Sequence, residues 1–516
     1  MDGLIVHANG ATGLNDAVIT VFSISIHRSA FVNRQPIAVA VPRWFFCRIS
    51  GSVASAAVAA LLAVVAAAPL ASGQESPEEA MAAYADAANF QNGGAFDLAV
   101  DGWKQFLKKY PNDPLASKAA HFLGVCYMQK EAEDYTAAAE AFAKALRDKK
   151  YDLREESLAN RGWCLYASSG QGQQRDPQRL RAALETFAML RKENPKSRYL
   201  DRALFYSGES AYALGQFASA IEFYDQLLAL PEVQDSPLRC DALYARGVAQ
   251  EDLAQYDKAI ASYKQLLASC EQRDGLVTDV HLRMGDLLIR SERFAEASQS
   301  FAEAIGAVES KQDRAYALFR QGYALAQLGK PGEAARKYEQ LLREHPDSTY
   351  SAAATLASAQ SLYREGEFAQ AAERFRAVLA QNSVPAATEA AHWLARIEIA
   401  AGNVQEAASI CRSQIDAGVD GDYAMALTLD LAEVLSMESD TLEESMVLFE
   451  RTFRQAPNDP LAPRALYNAA FSAYQLGRPE KALPLSLEFI NKFPNDTLTP
   501  DVQFVAAECQ RQTGKT

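Results

Sequence analysis

The chain has 516 residues and a formal net charge of −14, from 51 Lys and Arg against 65 Asp and Glu. A hydrophobic content of 49% excludes a disordered chain, and only 20 Pro and 27 Gly exclude collagen-like or proline-rich architecture. The first 73 residues hold four Arg and two Asp, so the remainder carries −16 and lacks the basic stripe of a nucleic-acid binder.

In chain order, the first element reads as a targeting signal. From Val53 to Leu70 the chain is Ala, Val and Leu with one Ser, one Pro and no charge, preceded by Arg43 and Arg48. Ala71 and Gly73 supply the small residues of a signal-peptidase site, placing the cut before Gln74. No Cys stands directly after these small residues, which argues against a lipid-modified terminus. The alternative is an uncleaved anchor, for which the stretch is short and weakly hydrophobic. Residues 1–40 lack periodicity. Val41-Pro42-Arg43-Trp44 would begin an ordinary signal, so 1–40 reads as an upstream extension. The expected organisation is therefore extension plus signal over 1–73, one repeat array over 74–512 and a short tail over 513–516. The expected location is the periplasm or cell envelope, with no membrane span left after cleavage.

The rest of the chain repeats. Four phrases recur: Tyr110-Pro111-Asn112-Asp113, Asn194-Pro195-Lys196-Ser197, His345-Pro346-Asp347-Ser348 and Phe493-Pro494-Asn495-Asp496. Small residues flanked by apolar ones recur from Gly124, Gly162, Gly208, Gly247, Gly285 and Gly322 through Ala359, Ala395, Ala432 and Ala470 to Ala506, with a mean period of 38. Within one unit, Leu318, Gly322 and Leu325 share a helix face. Gly329-Lys330-Pro331 breaks the chain, and Ala334, Tyr338 and Leu341 repeat the spacing. Each unit is thus a helix hairpin, with small residues where two helices cross closely.

This pattern resembles the tetratricopeptide-repeat family, most clearly over 315–348 and over 80–113 with Gly94, Phe96, Ala99, Trp103, Phe106 and Pro111. The resemblance covers about 80–516. It implies an all-α fold: a right-handed superhelical solenoid of about eleven helix hairpins plus a last helix near 500–512. The long period and the Pro-Asn/Asp joins resemble exported cell-envelope members, of the outer-membrane assembly or Tol-Pal-associated type. The insertion from Ala167 to Gln178 is expected to be a mobile loop.

Chemistry is sparse. No HExxH, GxSxG or CxxC occurs, and Gly514-Lys515-Thr516 lacks the earlier glycine of a phosphate loop, Cys509 standing in its place. His121, His281 and His392 read as packing residues. No metal, cofactor or catalytic group is expected. Cys240 and Cys270 begin and end one hairpin and form a candidate disulfide in an exported compartment. Cys126 and Cys164 read as core filler.

The family resemblance implies that the first helix of each hairpin lines a concave wall. The stripe beside the helix-packing face then holds Phe205, Glu209 and Tyr212, then Tyr244 and Glu251, Asp286, Phe319 and Tyr323, and Tyr363. Trp163, Tyr166, Tyr467, Phe471 and Tyr474 continue it. The alternative for these rings is packing between adjacent hairpins. The Lys/Asn clamp by which some members hold a terminal carboxylate is absent from the stripe. The expected function is a non-catalytic scaffold of the cell envelope that binds polypeptide on this face. The alternative is a wall- or glycan-binding module. Nothing in the sequence indicates an oligomeric state.

Overall fold

A computed structural model describes residues 77–231, 236–270, 274–381 and 384–514. The extension and the signal segment, up to residue 73, lie outside the described residues. The chain divides into two units, one ending at Leu253 and the other beginning at Ala254. Among the described residues the regular structure is helical throughout.

The first unit holds α1 (Glu78–Asn92), α2 (Phe96–Lys109), α3 (Ala116–Gln129), α4 (Tyr135–Ala145), α5 (Arg154–Ala167), α6 (Pro177–Glu193), α7 (Leu200–Ala213), α8 (Phe217–Leu228) and α9 (Arg239–Asp252). The second begins with α10 (Tyr256–Ser269), α11 (Asp274–Arg290), α12 (Phe294–Ala307), α13 (Lys311–Gln327), α14 (Pro331–Glu344), α15 (Ser351–Glu365), α16 (Phe368–Leu379) and α17 (Val384–Ala400). It continues with α18 (Val404–Ala417), α19 (Ala424–Ser436), α20 (Leu442–Gln455), α21 (Ala462–Gln475), α22 (Pro479–Lys492) and α23 (Thr499–Thr513). Within each unit every helix packs chiefly on its sequence neighbours, the contact pattern of a repeat stack.

The repeated small residue and a repeated aromatic close each hairpin. Gly124 lies against Phe142, Gly162 against Phe187 and Gly208 against Tyr224; in the second unit Gly285 meets Phe301 and Gly322 meets Tyr338. A Cβ at any of these glycines would fall under 3.0 Å from the ring. These rings are fully buried and are among the largest side chains of the core.

The joins between hairpins follow from the recurring phrases. Asp113 Oδ1 accepts from the Leu115 amide at 2.8 Å, and Asp496 Oδ1 from the Leu498 amide at 2.9 Å. Each satisfies a backbone donor where the chain turns into the next helix. Pro457-Asn458-Asp459 is a fifth phrase of this kind: Asp459 Oδ1 accepts from the Leu461 amide at 2.8 Å. The turn inside a hairpin needs a left-handed residue, supplied by Gly366 at φ +90° after α15. At the corresponding turn after α11, Glu292 adopts φ +56° without being glycine.

The insertion between α5 and α6 is held down. Arg175 lies over the Tyr166 ring, 4.5 Å from its centroid, and donates to the Tyr166 hydroxyl at 3.1 Å. The Asp176 amide donates to the Ser169 carbonyl at 2.7 Å, and the Asp176 carboxylate caps α6 through the Gln178 amide. At the other end of the chain, α23 closes on Gly514.

Candidate functional site: the first-helix face

In the first unit the predicted stripe falls on α7 and α9. Phe205 and Tyr244 are interior, 2% and 1% exposed. Tyr212 is half-buried, and its hydroxyl donates to Asp252 Oδ2 at 2.7 Å, joining α7 to α9. Glu209 accepts from the hydroxyls of Tyr224 at 2.8 Å and Tyr166 at 3.2 Å. Part of this residue stays open to solvent, but its carboxyl group is closed in, and burial holds its pKa above the usual carboxylate range. Both tyrosine hydroxyls are pushed up for the same first reason, loss of water around the charged form. Glu251 is half-buried.

In the second unit Asp286 on α11 receives the Tyr316 hydroxyl at 2.6 Å and Arg320 Nε at 2.9 Å, both from α13. Phe319 is 5% exposed and stacks on Tyr350 at 5.6 Å between centroids. Tyr323 is half-buried, with the Arg320 guanidinium 5.7 Å from its centroid. Tyr363 on α15 is half-buried beside Trp393 of α17 and Phe368.

Of the nine predicted groove residues, three therefore have interior rings: Phe205, Tyr244 and Phe319. Glu209 and Asp286 spend their carboxylates on neighbouring helices. Tyr212, Glu251, Tyr323 and Tyr363 remain partly open. A more continuous partly open stripe lies on α21, where Tyr467 stacks on Phe471 at 5.9 Å and Phe471 meets Tyr474 at 6.5 Å. All three of these rings are half-buried.

The sequence reading missed a polar ladder joining successive first helices. Gln360 on α15 donates to Glu389 on α17 at 2.6 Å. His392 Nδ1 lies 2.5 Å from Asp430 Oδ2 on α19, and Arg396 donates to Glu433 at 3.0 Å. Glu433 is also paired with Arg464 of α21. For His392 with Asp430 and for Arg396 with Glu433, the readable signal was a polar residue recurring at one repeat length.

The isolated titratable groups are structural. His121 is buried, with Nδ1 2.7 Å from Ser157 Oγ, and burial pushes its pKa down to about 4. Cys126, Cys164, Cys411 and Cys509 are buried free thiols, and burial raises the pKa of each, opposite to a reactive thiolate. Among the described residues no cluster of three or more His, Cys, Asp or Glu side chains could hold a metal. No described helix is long and apolar enough to cross a membrane.

Family profiles agree with the repeat pattern. Family profiles described as tetratricopeptide repeat match residues 84–153, 175–237, 208–274, 282–349 and 356–419, and a second such profile matches 464–496. No curated protein sequence matches the chain. Among solved structures it is similar to yeast Tom70, at 15% identity over 84% of this chain and 96% of that one, with a TM-score of 0.31. The Naa15/Naa10 complex bound to HypK-THB matches at 13% identity over 85% and 66%, with a TM-score of 0.38. YrrB, titled a TPR protein with an unusual peptide-binding site, matches at 18% identity over 40% and 98%, with a TM-score of 0.32.

Proposed function

The chain belongs to the tetratricopeptide-repeat family, and from that premise we propose that it is a non-catalytic scaffold of the cell envelope, holding a polypeptide partner against the first helices of its hairpins. Repeat stacks of this kind present extended binding surfaces rather than enclosed sites. The observation that carries the reading is the set of partly open aromatic rings on first helices, Tyr323, Tyr363 and the Tyr467, Phe471 and Tyr474 stripe, in a chain of net charge −14. Rigid rings of this kind anchor peptides at low cost in side-chain order, and the net negative charge of the whole chain favours a partner with basic side chains. The charge-free segment 53–70 and the small residues Ala71 and Gly73 support export with Gln74 as the mature N-terminus.

The stacked rings of α21 would also suit the apolar face of a sugar. Salt separates the two partners: capture of a basic polypeptide weakens as ionic strength rises, and capture of a neutral glycan does not. The deciding experiment is affinity capture from envelope extract with the mature chain, at low and high salt, against a Tyr467→Ala/Phe471→Ala variant of unchanged melting temperature. Capture equal in both proteins removes the α21 stripe from the site. Recovery of protein that still carries 53–73 replaces the exported scaffold with an anchored one.

A further inference from the structure

On the second-helix side of the first unit lies a cleft of about 230 Å³ between α4 and α6, floored by α5. Thr136, Ala139 and Ala143 of α4 form one wall; Arg161 and Ser168 come from α5 and its end, and Arg179 from the start of α6. Arg179 is fully engaged: it pairs with Asp176 at 3.3 Å and donates to Thr136 Oγ1 at 2.7 Å and the Ser168 carbonyl at 3.2 Å. Arg161 is not. Its Nη1 donates to the Thr186 hydroxyl at 2.8 Å, while its Nε–H is buried without an acceptor. The charge acting on it is that of Glu185, an exposed carboxylate that makes no ion pair with it among the described residues. Burial lowers its pKa, as befits a cation short of a counter-charge.

Two other helix pairs show what can stand in this place. Arg161 immediately precedes the packing Gly162, and the residue it faces on the preceding second helix follows that hairpin's packing aromatic. In the α8–α9 pair the same two places hold Asp225, after Tyr224, and Arg246, before Gly247, and they form an ion pair at 2.8 Å. In the α14–α15 pair they hold Glu339, after Tyr338, and Ser358, before Ala359, joined by a hydrogen bond at 2.6 Å. In the α4–α5 pair the aromatic is Phe142 and the residue after it is Ala143. Here the guanidinium is present without the carboxylate, and Ala143 lines the cleft where an acidic side chain would stand.

We propose that this cleft binds a carboxylate from a polypeptide partner, which takes the place beside Arg161 that Asp225 occupies beside Arg246. The Thr136 hydroxyl at the rim supplies a further polar contact, and Ala139 and Ala143 leave room for the methylene of an acidic side chain. Exposed Glu140 at the edge disfavours a dianion and favours a single carboxylate. The site stands apart from the first-helix face and does not depend on partner binding there.

The test follows the Arg161 Nε–H resonance in the mature chain labelled with ¹⁵N-arginine, assigned by its loss in Arg161→Lys. The probes are Ac-Gly-Asp-Gly-NH₂ and its Asn counterpart, then Ac-Gly-Gly-OH and its amide. A saturable shift with the Asp peptide and none with the Asn peptide is expected. A shift with Ac-Gly-Gly-OH alone assigns the site to a chain terminus rather than a side chain. Ala143→Asp, a change on a half-buried helix position that leaves Arg161 in place, supplies the carboxylate from within. It should weaken probe binding by about tenfold or more, the scale of one charge-assisted contact. No saturable shift with either carboxylate probe, equal shifts with the amide controls, or unchanged binding in a folded Ala143→Asp protein would each overturn the proposal.

Discussion

A Cβ placed on Gly322 would stand 2.6 Å from Cε1 of Tyr338. The tyrosine cannot yield, since it is 1% exposed and held against Phe319 at 5.8 Å between centroids. Gly322→Ala gains about 1 kcal/mol of helix propensity but meets overpacking of about 1–3 kcal/mol. A net loss of about 0–2 kcal/mol in urea unfolding is expected, with raised hydrogen exchange concentrated in α13, α14 and the helices beside them. A stabilised variant would show that the ring moves aside freely.

Glu292 makes the opposite case. It holds φ +56° at a hairpin turn where Gly366 and other glycines serve elsewhere. A left-handed non-glycine residue costs about 1–2 kcal/mol, part of which is returned as unfolded-chain entropy when glycine replaces it. Glu292→Gly should therefore raise stability by about 0.5–1 kcal/mol. A fall in melting temperature would mean that the turn is not strained.

The groove residues divide by burial. Phe319 lies between Tyr338 and Tyr350, so Phe319→Ala should destabilise by about 3–5 kcal/mol, as a core deletion does. Tyr323 is half-open, and Tyr323→Ala should cost about 1 kcal/mol or less, leaving any lost partner capture as a binding effect. Melting temperature and capture measured on both single variants separate the two roles. A large drop in melting for Tyr323→Ala would place that ring in the core as well.

Much of this arrangement was legible because one physical requirement repeats. A small residue must stand wherever an aromatic from the partner helix crosses, so Gly208 with Tyr224 and Gly322 with Tyr338 mark the hairpins by composition alone. The binding face was less legible. A first helix touches its own partner and the neighbouring hairpins, so its buried arc is wide. Phe205 lies one residue beyond Leu204, and both are buried; Tyr212 lies one beyond Ala211 and stays partly open. Helical spacing separates such positions by one step, and only the neighbours decide which of them closes. The turn at Pro457-Asn458-Asp459 was missed for a different reason: its preceding residue is Ala456, smaller than the residues that open the other phrases. The 167–178 insertion reads as a free loop because the Arg175–Tyr166 contact that holds it is not periodic.

Thiol chemistry tests the candidate pair Cys240 and Cys270. Cys126, Cys164, Cys411 and Cys509 are free and buried, so they react only after denaturation. Titration of unreduced, denatured mature protein should find four thiols, rising to six after reduction. Six before reduction would remove the pairing.

His121 links the stability of the first unit to pH. Tyr151 donates its hydroxyl proton to Ser157, so the Ser157 hydroxyl is left to donate to His121 Nδ1. That makes Nδ1 an acceptor and the ring neutral, with its proton on Nε2. Burial, opposed weakly by Asp152, pushes the pKa from 6.5 down to about 4. As pH falls the unfolded chain takes up this proton first. The stability linked to His121 is therefore complete above pH 6.5, is lost progressively between pH 6.5 and 4, and falls no further once the folded protein is also protonated. Between pH 7.5 and 5 the loss amounts to about 2 kcal/mol. His121→Gln keeps an acceptor for Ser157 but cannot take a proton. The variant should start less stable at pH 7.5 and lose about 2 kcal/mol less than the parent on going to pH 5. Urea unfolding at the two pH values measures both slopes, and groups common to the two proteins, including the partly buried His281, cancel in the difference. Equal losses in parent and variant would show that His121 accepts a proton inside the folded stack.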